Sequence, residues 1–236
     1  MKRILALVLF SLFTLGFVAA QSGQFLGLGH SSSFRVGPGK DDTGTQVYSF
    51  NYVYGSVIFN AKGKIVDLEM DILEVATPNY DGVSMPHFTG WPGDAGYKSI
   101  NHATGKVEDA VPTTVDSVTA EVNGWKSKRD RGDTYGMNKT NDWWKQMDSY
   151  EKIFIGKSVG EIDAWFDKYT TDSAFRPLNP ATKDAAEKAK FDKLSRADQK
   201  IVVDVRAGAT MSVHDAHGDV IAAIKDAWNH KKAIKR

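Results

Sequence analysis

The stretch Val47–Phe59, VYSFNYVYGSVIF, is dense in β-branched and aromatic residues, a composition that favours a β-strand. It is followed by Asn60-Ala61-Lys62-Gly63, a turn with glycine where a positive φ is expected. Lys64–Val75, KIVDLEMDILEV, then places acidic residues at every second position. The apolar residues between these acids are Val66, Leu68, Met70 and Ile72. The pattern predicts a β-hairpin with one face against a core.

The flanking segments add one more strand and several helices. Leu26-Gly27-Leu28-Gly29 is a candidate short strand that carries glycine. Trp143–Ile155 repeats apolar residues close to the period of a helix. Ser158 followed by Glu161 has the spacing of a capping box and predicts the start of the next helix. A last helix is expected over residues 212–230. Together these elements predict an α+β fold, a small antiparallel sheet packed by helices.

Residues from about 77 to 200 form a large insertion between the hairpin and the last elements. Prolines and glycines interrupt its first part, yet it is rich in aromatic residues, which a disordered linker would lack. We therefore expect an ordered insertion over the core. Its loop bearing His87 and Trp91 is a candidate ligand contact, although tryptophans more often serve as core residues. The basic run at residues 126–131 is expected to be a solvated face.

The first twenty residues have the layout of a secretory signal peptide, which would leave residues 21–236 as the mature domain. Lys2 and Arg3 precede an apolar run of about 15 residues, against the roughly 20 that a membrane span needs. The alternative is an N-terminal membrane anchor. The chain has no cysteine, which excludes thiolate-held iron–sulfur clusters and c-type haem. The net charge of +1 argues against nucleic acid and against more than peripheral membrane binding.

The stretch with the most chemical information is Asp204-Val205-Arg206-Ala207-Gly208-Ala209-Thr210-Met211-Ser212. Ile201–Val205 is predicted to be a β-like run that meets the last helix through small residues. The Thr210 hydroxyl would then lie just before a helix, where free backbone N–H groups and the helix dipole favour a phosphate. Alternatively, Thr210 or Ser212 is only the N-cap of that helix, and Ala-Gly-Ala is a close-packed joint.

This stretch resembles the attachment motif of the FMN-binding domain family, which includes the flavinylated subunits of sodium-pumping NADH:quinone reductase and of Rnf-type complexes. Asp204, Gly208, Ala209 and Thr210 match the motif, whereas Ala207 stands where Ser or Thr is usual. The resemblance implies that an FAD-dependent flavin transferase recognises Asp204 and joins the phosphate of FMN to Thr210. The expected cofactor-binding residues are Asp204, Ala207, Gly208, Ala209, Thr210, Met211 and Ser212, with His87 and Trp91 from the insertion.

The resemblance implies an extracytoplasmic electron carrier, periplasmic or secreted, with covalent FMN and redox partner proteins. It requires no catalytic acid or base, so no catalytic residue is assigned. One alternative is a reductase or sensor that binds FMN non-covalently, and another is an exported ligand- or carbohydrate-binding module. His214 and His217 would share one face of the last helix, but no third metal ligand is evident nearby, so no metal site is assigned.

Overall fold

The computed structural model describes residues 23–41, 44–80, 85–96, 98–101, 104, 106–109, 112–137 and 141–235. The predicted signal peptide lies outside these residues. The described part is α+β, as predicted: one four-stranded sheet, two small ribbons and a set of helices. Within it, no helix has the length and apolar character needed to cross a membrane.

The main sheet is antiparallel and has the strand order β3-β2-β1-β8. Its strands are β1 (Phe25–Lys40), β2 (Gln46–Phe59), β3 (Ile65–Ala76) and β8 (Lys232–Ala233). The predicted hairpin is confirmed, and Gly63 has the positive φ of 74° that its turn requires. The predicted alternation was wrong at one residue. Phe59 pairs with Ile65 but Ile58 pairs with Asp67, so Val66 is the extra residue of a bulge and is exposed, while Ile65 is buried.

The remaining elements follow the hairpin along the chain. Two short ribbons pair β4 (Ser99–Asn101) with β5 (Lys106–Glu108) and β6 (His214–Asp215) with β7 (Gly218–Asp219). The helices are α1 (Val115–Asn123), α2 (Lys128–Arg131), α3 (Trp143–Phe154), α4 (Val159–Tyr169), α5 (Ala185–Asp192), α6 (Arg196–Gly208) and α7 (Val220–His230). A 3₁₀ turn, Gly132–Tyr135, continues directly from α2.

Helix α7 lies across the inner face of β1 and β2, and glycines make this close approach possible. A Cβ atom at Gly27 would lie 2.1 Å from the carbonyl oxygen of Ala227, and one at Gly29 would lie 2.0 Å from that of Ala223. The glycine-bearing strand of the sequence is thus the surface on which α7 rests, and it is far longer than the four residues predicted.

The insertion contributes to the same buried cluster as the sheet. Its helix α3 begins at the predicted residue, and the capping box between Ser158 and Glu161 opens α4 as predicted. Tyr150, Phe154 and Phe166 stack with ring centroids about 6 Å apart and are 0–4% exposed. The insertion therefore contributes residues to the hydrophobic core as well as lying over it.

Two predictions about the C-terminal region were wrong. Ile201–Val205 is not a strand but lies within α6. The N-cap of α6 is Ser195, whose hydroxyl oxygen accepts a hydrogen bond from the N–H of Asp198. The capped start and a helical apolar pattern outweigh the β-propensity of the four β-branched residues. The last helix begins at Val220 rather than Ser212, because residues 214–219 form the β6–β7 ribbon, with Gly218 at φ 137°.

Candidate functional site

The segment that follows α6 holds Thr210 in an extended conformation with alternating burial. Ala209, Met211 and Val213 are buried, at 0–7% exposure, whereas Thr210 is exposed and Ser212 is half-buried. Ala209 has the extended dihedrals φ −148° and ψ 133°. The buried side chains anchor the segment, and Thr210 between them is exposed, with its hydroxyl donating to the side-chain oxygen Oε1 of Gln146 at 3.4 Å.

Gln146 of α3 fixes this backbone through its side-chain amide. Its Oε1 accepts hydrogen bonds from the backbone N–H groups of Thr210, at 2.8 Å, and Met211, at 3.0 Å. Its Nε2 donates to the carbonyl oxygen of Asn141 at 2.9 Å, which fixes the orientation of the amide. Gln146 is only 2% exposed, so these hydrogen bonds satisfy groups that water does not reach.

Two further side chains fix the segment on either side of Thr210. The Tyr150 hydroxyl donates to the carbonyl oxygen of Met211 at 2.7 Å, and Asn141 Nδ2 donates to that of Gly208 at 2.6 Å. Burial raises the pKa of Tyr150 well above its ordinary value, so the phenol remains a hydrogen-bond donor. We call Asn141, Gln146 and Tyr150 the clamp.

Gly208 packs closely against α3, as the alternative of a close-packed Ala-Gly-Ala joint predicts. It ends α6 without the positive φ of a tight turn, and a Cβ there would lie 2.7 Å from Ser149 Oγ and 3.1 Å from Ser149 Cβ. The small residue lets α6 approach α3, which carries the clamp. Close helix packing, rather than turn geometry, accounts for glycine at this position.

The predicted electrostatic setting of Thr210 was wrong. Thr210 lies two residues beyond the C-terminal end of α6, not before the N-terminus of a helix. A helix C-terminus carries partial negative charge and disfavours a phosphate. Positive charge at this position therefore comes from side chains, and Lys128, Arg176 and Arg206 each line a cavity together with Thr210.

The guanidinium of Arg176 borders both cavities that open beside Thr210. Among the described residues, it has no ion pair or side-chain hydrogen bond, whereas Arg206 Nη1 already donates to the carbonyl oxygen of Pro177 at 2.8 Å. Arg176 is therefore the cation whose donors are available to an anion at Thr210.

The inner cavity has a volume of about 270 Å³ and lies between α3, the 3₁₀ turn and the β6–β7 ribbon. The rings of Tyr135 and Trp143 and the side chain of Met137 form part of its wall. Thr210, Arg176 and Lys128 also line it. Aromatic walls with a few fixed polar groups are typical of cofactor pockets.

A buried ion pair stands at the inner cavity. Lys128 is 2% exposed, and its Nζ lies 3.1 Å from Glu74 Oε2 and donates to the carbonyl oxygen of His217 at 3.2 Å. Glu74 is 3% exposed and also lies 3.6 Å from Arg35 Nη1. Burial alone would raise the pKa of Glu74, but the charge and hydrogen bond of Lys128 outweigh it and hold that pKa below its ordinary value. Both groups are therefore charged at neutral pH.

This pair was missed by the sequence analysis, which assigned residues 126–131 to a solvated face. Lys128 and Arg131 are both buried, the latter at 5% exposure. The capped turn of α2, with Ser127 accepting from the N–H of Asp130, directs them inward against the sheet. The only sequence feature that could have suggested this buried ion pair is Glu74, because the hairpin pattern predicts an inward side chain at that position.

The outer cavity has a volume of about 640 Å³ and lies on the other side of Thr210, between the 171–179 loop and α5. Its lining is mainly polar and includes Asp172, Glu187 and Lys190, of which Lys190 pairs with Asp172. It shares Thr210 and Arg176 with the inner cavity.

The other predicted motif residues take different positions. Asp204 is exposed on α6, where it pairs with Lys200 at 2.7 Å, and Ala207 is exposed beside it. Met211 and Ser212 line the inner cavity. The structure therefore brings together Thr210, Met211 and Ser212 at the cavity and leaves Asp204 and Ala207 on the helix surface.

His87 and Trp91 belong to a separate aromatic group in the insertion and line neither cavity. Phe88 makes edge contacts with Trp91 and Trp125, at centroid distances of 5.2 and 6.4 Å. His87 Nε2 lies 3.0 Å from the carbonyl oxygen of Tyr80, and Trp91 is 70% exposed. Their predicted cofactor contact stays a prediction.

The two histidines of the β6–β7 ribbon do not share a helix face, contrary to prediction. His214 Nδ1 lies 2.7 Å from Asp219 Oδ1, and His217 Nδ1 lies 3.1 Å from Asp215 Oδ1. His217 and Asp215 line the inner cavity. In the part of the chain that the structure describes, no three His, Cys, Asp or Glu residues are grouped so that they could hold a metal ion.

Comparison with known proteins finds similarity to a protein named as a reductase. The chain is 32% identical over 222 residues to the chlorophenol reductase of Desulfitobacterium hafniense. The match covers 89% of this chain but 59% of the length of that protein. No protein-family model matches the chain, and no solved structure matches it.

Proposed function

We propose that this protein is an extracytoplasmic electron-transfer flavoprotein that carries FMN through a phosphoester bond to Thr210. The observation that carries the proposal is Thr210, an exposed residue that borders two cavities and whose backbone is held by the buried clamp. The resemblance of residues 204–210 to the flavin-attachment motif supports it independently. Similarity to a protein named as a reductase agrees with a redox role.

The attachment step implied by the resemblance is a transfer from FAD. The Thr210 oxygen attacks the phosphorus atom of the FMN half, and the bond from that phosphorus to the bridging oxygen of the pyrophosphate breaks. AMP leaves with the bridging oxygen, and the hydroxyl proton is lost. The reaction needs an exposed hydroxyl and an accessible recognition residue, and Thr210 and Asp204 are both exposed.

The residues present suit such a group. Arg176 offers free guanidinium donors beside Thr210 for a phosphate, and Tyr135 and Trp143 offer aromatic surface for a flavin ring. When bound, FMN supplies one- or two-electron chemistry. The buried ammonium of Lys128 would favour added negative charge in the inner cavity, because a fixed cation in a poorly solvated site acts strongly at short range.

The chain's own residues would therefore attach the FMN, orient it and tune its electrostatic environment. They would not act as catalytic groups. The clamp sets the position of the attachment atom, the walls of the inner cavity limit access of water, and Glu74 holds Lys128 in place. No catalytic acid or base is required for electron transfer to a partner protein. We further propose export by residues 1–20, which cell fractionation of the full-length protein tests directly.

The experiment is co-expression with an FAD-dependent flavin transferase, followed by denaturation and intact-mass measurement. The wild type should gain the mass of FMN less one water, and Thr210→Ala should not. Ser212→Ala is the matched control, because Ser212 is the next hydroxyl in the same extended segment, and it should be loaded like the wild type. Flavin that is released on denaturation would instead support the non-covalent alternative. Absence of flavin from every preparation would support the ligand-binding alternative.

A further inference from the structure

The face of the main sheet that points away from α7 carries a row of exposed aromatic rings. We call Phe34, Tyr48, Phe50, Tyr52 and Tyr54 the aromatic face. These rings are 37–66% exposed. Phe34 stacks with Tyr48 at 5.7 Å, and Tyr52 with Tyr54 at 6.1 Å between centroids. An exposed apolar surface of this extent is characteristic of an interaction site.

Carboxylates border the aromatic face along β3. The register places Asp71 beside Tyr54, Glu69 beside Ser56 and Asp67 beside Ile58. Among the described residues, no Lys, Arg or His side chain forms an ion pair with Asp67, Glu69 or Asp71. The chain as a whole has a net charge of +1, so this negative border is a local feature and not a consequence of an acidic protein.

A cleft lies where the aromatic rings meet these carboxylates. Its volume is about 470 Å³, within the range of ligand pockets, about 300–1,000 Å³. Tyr52, Tyr54 and His30 line it together with Glu69 and Asp71. The Tyr54 hydroxyl donates to Asp71 Oδ2 at 3.2 Å, and the His30 ring lies 5.9 Å from that of Tyr52. Ser56, a small residue on the same face as Tyr54, also lines the cleft between these walls.

We propose that this cleft receives an arginine side chain of a partner protein that docks on the aromatic face. Charge complementarity selects a cation, because a neutral occupant would cover the Glu69 carboxylate without compensating its charge. Ring faces attract cations, and the planar guanidinium both stacks on tyrosine and pairs with a carboxylate through two parallel hydrogen bonds. Tyrosine and arginine are also enriched in protein interfaces. The proposal does not depend on the flavin at Thr210.

The test uses the full chain and a fluorescein-labelled tetra-arginine peptide, with anisotropy as the readout at low and high salt. The matched probe is the tetra-citrulline peptide, which has nearly the same shape but no charge. The arginine peptide should bind and the citrulline peptide should not. The double variant Asp67→Asn/Glu69→Gln should weaken binding roughly fivefold or more, since it removes one carboxylate that lines the cleft and one that borders the aromatic face. Tyr52→Leu should weaken it by several-fold, since it removes the ring but keeps an apolar side chain.

The control variant is Asp116→Asn/Asp167→Asn, which removes two exposed acids from α1 and α4 and should bind the arginine peptide like the wild type. Equal weakening in both double variants would mean general electrostatic attraction and would overturn the proposal. Equal binding of the two peptides would do the same. Sedimentation showing that the aromatic face joins two copies of the chain, and that Phe34→Ser separates them, would replace the partner with a second copy.

Discussion

The inner and outer cavities share Thr210 and Arg176 but differ in what forms their other walls. The inner cavity is walled by core elements far apart in the chain, from β3 to the β6–β7 ribbon, and holds the buried charge of Lys128. The outer cavity is walled by a surface loop and α5, whose charges face solvent. One side of Thr210 is thus formed by core elements that hold a buried charge, and the other is formed by surface elements. A flavin tethered at Thr210 would be tuned from the inner side and reached by partners from the outer side.

The largest expected effect is a difference in the free energy of unfolding between a variant in the inner cavity and one in the outer cavity. Lys128→Met should lower the free energy of unfolding by about 3–5 kcal/mol, because it leaves the buried Glu74 carboxylate without its nearest cation. Lys190→Met in the outer cavity should cost no more than about 1 kcal/mol, because its partner Asp172 is exposed. Urea denaturation of both variants measures the two values. Similar small losses of unfolding free energy in both variants would show that the inner cavity does not depend on the buried Lys128–Glu74 pair.

Removal of the clamp should have a smaller but still clear effect. Gln146→Leu leaves the N–H groups of Thr210 and Met211 without their acceptor and should cost about 1–3 kcal/mol. Flavin loading at Thr210 should fall in the same variant, because the attachment atom loses its fixed position. Gln199→Leu is the control, since its amide makes only two long hydrogen bonds of 3.3 Å. If both variants loaded flavin like the wild type, the clamp would not position Thr210.

Filling each cavity in turn shows which one shelters the flavin ring. Met137→Trp narrows the inner cavity, and Ala186→Trp narrows the outer one. In flavin-loaded protein, Met137→Trp should raise quenching of flavin fluorescence by iodide several-fold, because the ring would be displaced toward solvent. Ala186→Trp should leave quenching at or below the wild-type value. The reverse pattern would assign the ring to the outer cavity.

The smallest expected effect is a pH dependence of stability due to Glu74. Its pKa is lower in the folded protein than its ordinary value of 4.5, so its contribution is complete above that value. Stability should decline as pH falls below 4.5 and through the lower folded pKa. Glu74→Gln should flatten this decline in acid-titration denaturation curves. An unchanged slope in the variant would show that Glu74 is not held ionised by Lys128.

Local sequence signals predicted the local elements. The β2–β3 hairpin, the start of α3 and the capping box of α4 each depend on residues within a few positions of one another. The segment 201–205 was assigned wrongly because its four β-branched residues favour a strand, whereas the N-cap at Ser195 and the burial of Val202 stabilise a helix.

Long-range contacts account for what the sequence could not predict about the site. Gln146 and Thr210 are 64 positions apart, and nothing near Gln146 marks it as the acceptor for that backbone. Lys128 and Glu74 likewise meet only when α2 packs against β3. The motif at residues 204–210 predicted an attachment residue, and this stays a prediction, whereas the cavities, the clamp and the buried charge follow from the fold.

The most direct measurement of the central claim is peptide mapping of the co-expressed protein. The chain is digested, the flavin-fluorescent peptide is isolated, and its modified residue is located by fragmentation mass spectrometry. The account predicts a single modified peptide with FMN phosphate on Thr210. Flavin on Ser212 or any other residue, or no covalently modified peptide at all, would contradict it.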